Sequence, residues 1–359
     1  MRLERHRAAR LVAGDDGGLL DALAAGRDIT AGPDGLRDTG GDGRWIRVAS
    51  GGTTGAPKVI RRSAASWRAS FEVNAGLFDV GPGSVVATLG HVGHSLTLYA
   101  LAEAAGLGAG LLGLQGMRPD AQLRALGDHG ATHLWTTPTQ LGLLAGRGAV
   151  PTLDRLIVGG GVLTAAQAEA ARGTFPTARL STFYGASELS FVTVDGTPFP
   201  GVELRLRDGL IWVRSPYLFD GYDAGADPLT RRNADGFVTV SELGRMENGR
   251  LVVTGRAGRR VNVADRLVSP EPAEQFLADR AGAPVAVVAV PDPRRGARLV
   301  AVRQGEADPS LDAALLADCR RAVGAAGTPH RVVTVPTLPR LPSGKPDLDG
   351  LAHTLAALA

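Results

Sequence analysis

From Trp45 onward, short apolar runs alternate with helix-patterned stretches, and glycines or small polar residues separate them. The runs Trp45–Ala49, Ser84–Thr88, Thr132–Thr136 and Leu153–Val158 have strand length. The stretches Ser63–Leu77, Ser95–Ala105, Ala121–Gly127 and Thr164–Gly173 carry helical spacing. Strand and helix in turn, at this interval, demand a sheet with helices packed on it, so an α/β fold is expected. Before this region, residues 14–43 are rich in Gly and Asp and read as loops around a short helix, Gly18–Ala25.

After about residue 195 the pattern changes. Short strands are predicted at Val202–Leu206, Leu210–Val213, Gly236–Val240 and Arg250–Thr254, separated by Asp208-Gly209, Asp235-Gly236 and Asn248-Gly249. Such dipeptides accept the positive φ that tight hairpins require, Asn-Gly best of all. From about 256 the chain mixes helix Pro270–Arg280, strands Val285–Val290 and Arg298–Arg303, helix Pro309–Val323 and strand Arg331–Val335. A division follows: a large domain, residues 1–255, and a small α+β domain, residues 256–359. A chain of 359 residues is long enough for two such units.

Composition narrows the class. Thirty-nine basic against 36 acidic residues leave a net charge of only +3, with no run of like charges, so no nucleic-acid partner is expected. The longest apolar stretch, Leu96 to Leu114, is interrupted by Glu103 and four glycines. It is read as a buried helix running into a strand, not a membrane span. The N-terminus MRLERHRAAR has no apolar signal core, and Cys319 stands alone without a disulfide partner. A cytoplasmic protein is therefore expected.

Four segments carry chemistry. Ser50-Gly51-Gly52-Thr53-Thr54-Gly55-Ala56-Pro57-Lys58 concentrates backbone N–H and hydroxyl donors where no Cβ blocks approach, which suits phosphates. It lacks the Gly-Lys-Ser/Thr ending of a Walker A loop. Tyr184-Gly185-Ala186-Ser187-Glu188 offers a ring for a base, a hydroxyl for a phosphate and a carboxylate for Mg²⁺. Glu242 and Arg256 suit ribose hydroxyls or a phosphate. Lys345, after Pro342-Ser343-Gly344, is a cation on a loop whose glycine frees the chain. Read singly, each has a plainer meaning: a surface loop, a turn, a hairpin with an exposed ion pair, a solvated lysine.

Taken in order, the four segments resemble the AMP-binding adenylate-forming superfamily of acyl-CoA synthetases, adenylation domains and luciferases. SGGTTGAPK looks like its phosphate loop, YGASE like its Tyr-Gly-x-Thr-Glu motif with Ser187 for Thr, and PSGK like its catalytic-lysine motif. The likeness runs over roughly residues 45 to 352 and is closest to a shortened acyl-CoA synthetase.

The resemblance implies ATP and Mg²⁺ as cofactors and a carboxylic acid as substrate, activated as an acyl-adenylate with release of pyrophosphate. The acyl group would then pass to a thiol, coenzyme A first, with a carrier-protein phosphopantetheine or an amine as alternative acceptors. It further implies that Ser50, Gly51, Gly52, Thr53, Thr54, Gly55 and Lys58 hold phosphates. Tyr184, Gly185, Gly160 and Gly161 would line the adenine site, Ser187 meet the α-phosphate and Glu188 take the metal. Glu242 and Arg256 would hold the ribose, and Lys345 bridge carboxylate and phosphate. His94, Thr136, Thr137 and Val192 would line the acid pocket, and Gly258 act as the hinge of the small domain.

Three departures stand out: Glu242 for the usual Asp, Asp265 and Leu267 where Gly and Arg are common, and little chain before the phosphate loop. The last leaves room for a homodimer partner, another protein or nothing, and for a non-catalytic nucleotide-binding protein as a reading of another class; an acyl carrier protein enters as the partner that the alternative acceptor implies. The string Gly108-Ala109-Gly110-Leu111-Leu112-Gly113 matches a dinucleotide fingerprint but follows a helical run, so no such site is expected.

Overall fold

The helices are built where apolar spacing and end signals coincide. Ser63 caps the helix Ala64–Phe78 through its side chain, and Thr137 and Thr164 open Pro138–Leu144 and Ala165–Thr174 with complete capping boxes. Gly108, at φ 83°, ends Ser95–Leu107. That glycine is a helix cap, and the fingerprint-like string beyond it is the buried strand Gly110–Gly113. The protein is described from a computed structural model covering residues 2–50, 58–264, 266–293, 295–341 and 345–357.

Among the described residues, the largest sheet has eight strands. Its order is Arg10–Gly14, Gly110–Gly113, Val85–Thr88, His133–Thr136, Arg155–Val158, Arg179–Ala186, Ser190–Val194 and Thr197–Pro198. The first six run parallel, and the last two are added antiparallel by hairpins. The strands in the middle of this sheet are buried throughout, which is why they read as plain apolar runs. A second sheet joins Gly221–Ala224, Lys58–Ser63, Trp45–Ser50, Ile29–Gly32 and Gly35–Asp38. A third, six-stranded, gathers the hairpins of residues 203–256.

The fourth sheet contains Arg266–Val268, Val261–Val263, Gly296–Gln304 and Val285–Asp292, with Arg331–Val335 parallel to Gly296–Gln304. Both faces of its central strand, Gly296–Gln304, are covered. Leu299 and Ala301 pack with Leu277, Leu315 and Cys319, whereas Val300 and Val302 pack with Leu351 and Leu355. The predicted α/β class with a large first part and a smaller α+β second part is what the molecule shows.

Several elements differ from expectation. Residues 14–43 hold two strands besides their helix, because Ile29–Gly32 pairs with Trp45–Ser50 and with Gly35–Asp38. Helices Pro138–Leu144 and Leu348–Ala357 were not foreseen. The phosphate-loop segment leads into a strand, Lys58–Ser63, not straight into a helix. Its two ends are paired, Ser50 opposite Lys58.

Candidate active site

One cleft collects most of the singled-out side chains. Its floor is the turn between Arg179–Ala186 and Ser190–Val194. A Cβ on Gly185 would lie 2.1 Å from the carbonyl oxygen of Ser190, so only glycine lets the hairpin close so tightly. That closure leaves Ser187 and Glu188 at the turn. Arg62, fully buried, donates from Nη2 to the carbonyl of Ser187 at 2.8 Å. Burial pulls the Arg62 pKa down to about 10, opposed by Glu188, Tyr99 and Asp220.

Glu188 is 5% exposed. Its Oε1 accepts from Lys58 Nζ at 2.7 Å and from the Tyr222 hydroxyl at 2.9 Å. Lys58 also donates to Asp227 Oδ2 at 2.9 Å. Burial works against the Lys58 ammonium, but Glu188 and Asp227 outweigh it and raise its pKa. Burial, then the charge of Glu188, pushes the Tyr222 phenol far up.

Along the cleft, Arg256 Nε donates to Glu242 Oε1 at 3.1 Å. Glu242 Oε2 and Tyr184 Oη are both buried without a hydrogen-bond partner. Burial first, then the charge of Glu242 and an approach of its carboxylate to the phenol, raises the Tyr184 pKa. Buried polar atoms without partners cost free energy unless a ligand with hydroxyls or amines completes them.

Lys345 reaches this place from the small part of the chain. Its loop is pinned at both ends: Leu341 N–H donates to the Lys345 carbonyl at 2.8 Å, and Arg340 bridges Pro346. The ammonium is open to solvent on one side and ringed by protein on the other. Burial first, then Arg256 and Lys58, lowers its pKa, against the pull of Glu242 and Glu188. His94 feels burial, then His91 and the Lys345 charge, and its pKa is lowered too. It starts the helix Ser95–Leu107 but spends no side-chain bond on the cap, which leaves the imidazole exposed.

The cleft therefore brings together Lys58, Tyr184, Gly185, Ser187, Glu188, Glu242, Arg256, Lys345 and His94. Gly160, at φ 76°, and Gly161 are exposed on its rim beside Thr137 and Pro138. Gly51, Gly52, Thr53, Thr54 and Gly55 lie outside the described residues, as does the Ser50 side chain. Gly258 sits in the 3-10 turn Ala257–Arg259, where a Cβ would meet Leu229 Cδ1 at 2.7 Å.

One pocket assignment needs correcting. Val192 is fully buried in the core with Ile60, Leu189 and Ile211; it is the residue left over at the bulge between Thr193 and Phe191, which turns it away from the Phe191 cluster. Thr136 Oγ1 donates to Gln140 Oε1 at 3.3 Å and Thr137 Oγ1 accepts the Gln140 N–H at 3.3 Å, so both residues help shape the helix start. Arg62, Tyr222 and Asp227 were missed, since nothing local marks them. A separate cavity of about 480 Å³, lined by Ser63, Ser66, Arg214, Asp220 and Arg232 among others, contains none of the motif residues.

A sheet-based α/β core, with a lysine from the small second part of the chain electrostatically coupled to its acidic and basic motif residues, is the arrangement the sequence reading anticipated. The sequence matches the AMP-binding enzyme family over residues 49–223 and the AMP-binding enzyme C-terminal domain over residues 275–345. The chain belongs to this adenylate-forming family.

It is 29% identical to an uncharacterized acyl-CoA ligase, YhfT, of Bacillus subtilis, over 82% of this chain and 65% of that one. It is 28% identical to a salicyl-AMP ligase / salicyl-S-ArCP synthetase of Mycobacterium tuberculosis, over 86% of this chain and 61% of that one. The chain thus spans less than two thirds of the length of these curated relatives. Among solved structures, the amide bond synthetase McbA from Marinactinospora thermotolerans superposes with a TM-score of 0.76 at 26% identity, covering 89% of this chain and 71% of that one. ATP-bound MatB from Rhodopseudomonas palustris shares the fold, with a TM-score of 0.76 at 22% identity over 90% and 70% of the two chains.

Proposed function

We propose that this chain uses ATP to activate a carboxylic acid as an acyl-adenylate, releasing pyrophosphate, and then passes the acyl group to the thiol of coenzyme A. What supports the reading is that the Lys345 ammonium feels the charges of Arg256, Glu242, Lys58 and Glu188, and His94 feels that of Lys345, while Lys58 is bonded to Glu188 and Arg256 to Glu242. An acid carboxylate and an α-phosphate repel each other, so a cation between them is what the reaction needs most. Lys345 is suited to that place. Arg256 and the free Glu242 Oε2 would take ribose hydroxyls, and Tyr184 would face the base. Ser187, aimed by the Arg62 contact to its carbonyl, would meet the α-phosphate. His94 would orient the acid.

Mg²⁺ fits the corner beside Lys58. Among the described residues no cluster of three or more His, Cys, Asp or Glu could hold a metal alone. Mg²⁺, however, needs only one or two carboxylates when phosphates supply the rest. Glu188 and Asp227 already surround one cation, the Lys58 ammonium, at 2.7 and 2.9 Å. They are the residues that would hold the metal, which when bound would neutralise phosphate charge.

The small unit, residues 256–359, would turn about Gly258 for the second half-reaction, withdrawing Lys345 and presenting the hairpin of Val261–Val263 and Arg266–Val268. Leu267, at its exposed edge, offers no charge to coenzyme A phosphates. That feature, with the carrier-protein and amide-forming relatives, favours a second reading in which a carrier-protein phosphopantetheine or an amine is the acceptor. No described helix is long and apolar enough to cross a membrane.

The test is ATP–pyrophosphate exchange with a panel of carboxylic acids, followed by transfer assays with coenzyme A, a phosphopantetheinylated carrier and simple amines. Exchange with at least one acid is expected. ATP binding without exchange on any acid would overturn the proposal in favour of a non-catalytic nucleotide-binding protein.

A further inference from the structure

We propose that Arg62 is a positioning residue for the nucleotide: from inside the core it fixes the main chain at Ser187, and it keeps there a positive charge that has no carboxylate of its own and that the phosphates complete. The inference rests on the adenylate reading above for the identity of the anion, ATP.

Strand alternation places Arg62. Along Lys58–Ser63, residues 58, 60 and 62 share one face. Ile60, 1% exposed, packs in one cluster with Leu189 and Val192 of the motif hairpin. Lys58 and Arg62 flank it and grip successive residues of one turn. Lys58 Nζ meets the Glu188 side chain at 2.7 Å, and Arg62 Nη2 donates to the Ser187 carbonyl at 2.8 Å. The carbonyls on either side are satisfied by main chain: Ala186 accepts from the Leu189 N–H at 3.0 Å, and Glu188 from the Phe219 N–H at 2.9 Å. The Ser187 carbonyl is held instead by a charged side chain. The Ser187 hydroxyl makes no hydrogen bond among the described residues, so the residue is anchored by its main chain and free at its side chain.

The cations of the site are not matched alike. Lys58 lies between two carboxylates, Glu188 and Asp227, at 2.7 and 2.9 Å. Arg256 has Glu242 at 3.1 Å. Arg62, 2% exposed, has the carbonyls of Ser187 and Tyr217, the latter at 3.5 Å, and the Trp67 ring 5.5 Å from its guanidinium carbon. Among the described residues no carboxylate pairs with it. The negative charge that acts on it most strongly is that of Glu188, which Lys58 already holds. A guanidinium withdrawn from water without an opposite charge weakens a fold, and an apolar residue of similar size is at least as stable in such a place. A charge kept at that cost, behind a residue whose hydroxyl is free, fits a site whose missing anion is a ligand.

The experiment titrates ATP, AMP and adenosine calorimetrically against the whole chain and its Arg62→Met and Arg62→Lys variants, and follows urea unfolding of the three proteins without nucleotide. Arg62→Met should bind ATP and AMP at least about tenfold more weakly, and adenosine within about twofold of the parent. Arg62→Lys, which keeps the charge but not the planar fork, should recover part of that loss. Without nucleotide, Arg62→Met should unfold at the same urea concentration as the parent or a higher one. Unchanged ATP affinity in Arg62→Met would overturn the inference. So would equal weakening of all three ligands, or an Arg62→Met chain that unfolds earlier or does not fold, since Arg62 would then only prop up the turn. If the parent binds none of the three, the nucleotide reading fails and this inference fails with it. If the parent binds ATP but exchanges pyrophosphate with no acid, the adenylate reading falls alone, and the titrations still decide the place of Arg62.

Discussion

Lys58 Nζ stands 2.7 Å from Glu188 Oε1, joining the residue that follows the phosphate loop to a carboxylate 130 positions away. Both side chains are largely withdrawn from water, at 15% and 7% exposure, and Asp227 completes the pair on the lysine side. Removing one partner of such a pair strands the other's charge, whereas removing both does not. Lys58→Met and Glu188→Gln should each lower stability, and the double variant should lose less than the sum. The coupling expected from urea unfolding of the four proteins is on the order of 1–3 kcal/mol. Additive losses would mean the contact is screened and contributes nothing of its own.

Lys345→Ala should separate the two half-reactions. The ammonium feels the charges of Arg256, Glu242, Lys58 and Glu188, and in the proposed reaction it would bridge carboxylate and phosphate. Its loss should slow adenylate formation by about 10²–10³-fold, as for other preorganised charge-stabilising groups. Transfer from supplied acyl-adenylate should be almost unaffected. Pyrophosphate exchange measures the first step and single-turnover thiol acylation the second. Equal damage to both would remove Lys345 from its proposed role.

What the sequence made legible was local. Asp208-Gly209 and Asn248-Gly249 were read as hairpin turns because a dipeptide sets the backbone, and all four residues do take positive φ. Motif residues such as Tyr184 and Glu188 were recognised by their order along the chain. What escaped depends on pairing at a distance. Ile29–Gly32 is a strand only because Trp45–Ser50 lies beside it. Arg62 acts on Ser187 across 125 residues and Asp227 on Lys58 across 169, and neither sits in a recognisable pattern. Val192 was misplaced because facing direction depends on register, which a bulge between Tyr184 and Gly185 resets in the pairing of its strand.

Gly258→Ala tests the proposed hinge. In the arrangement described here, the added methyl would approach Leu229 Cδ1 at 2.7 Å, the far end of a side chain that can move aside. Adenylate formation should therefore change by less than about threefold, since a flexible neighbour gives way at small cost. Acyl transfer should slow more, because alanine narrows the φ/ψ range that a rotating unit must cross. Equal rates for both steps in variant and parent would place the hinge elsewhere.

Glu103 gives the chain a pH dependence that owes nothing to the cleft. It is fully buried. Its Oε1 accepts from Asn74 and Tyr99, while Oε2 has no partner. Burial pushes its pKa up to about 8, and the two hydrogen bonds pull the other way. In the unfolded chain the carboxyl ionises near the ordinary value of 4.5. Between those two values the folded protein holds a proton that the unfolded chain has released. Stability must therefore fall as pH rises through that window, by up to about 1.4 kcal/mol per pH unit, and level off above the folded pKa. Glu103→Gln keeps the shape and the acceptor oxygen but cannot ionise. It should flatten this slope and make the variant more stable than the parent at pH 8, with little difference at pH 4.5. Urea unfolding at both pH values measures the change, and parallel pH profiles for the two proteins would show that Glu103 ionises normally in the folded state.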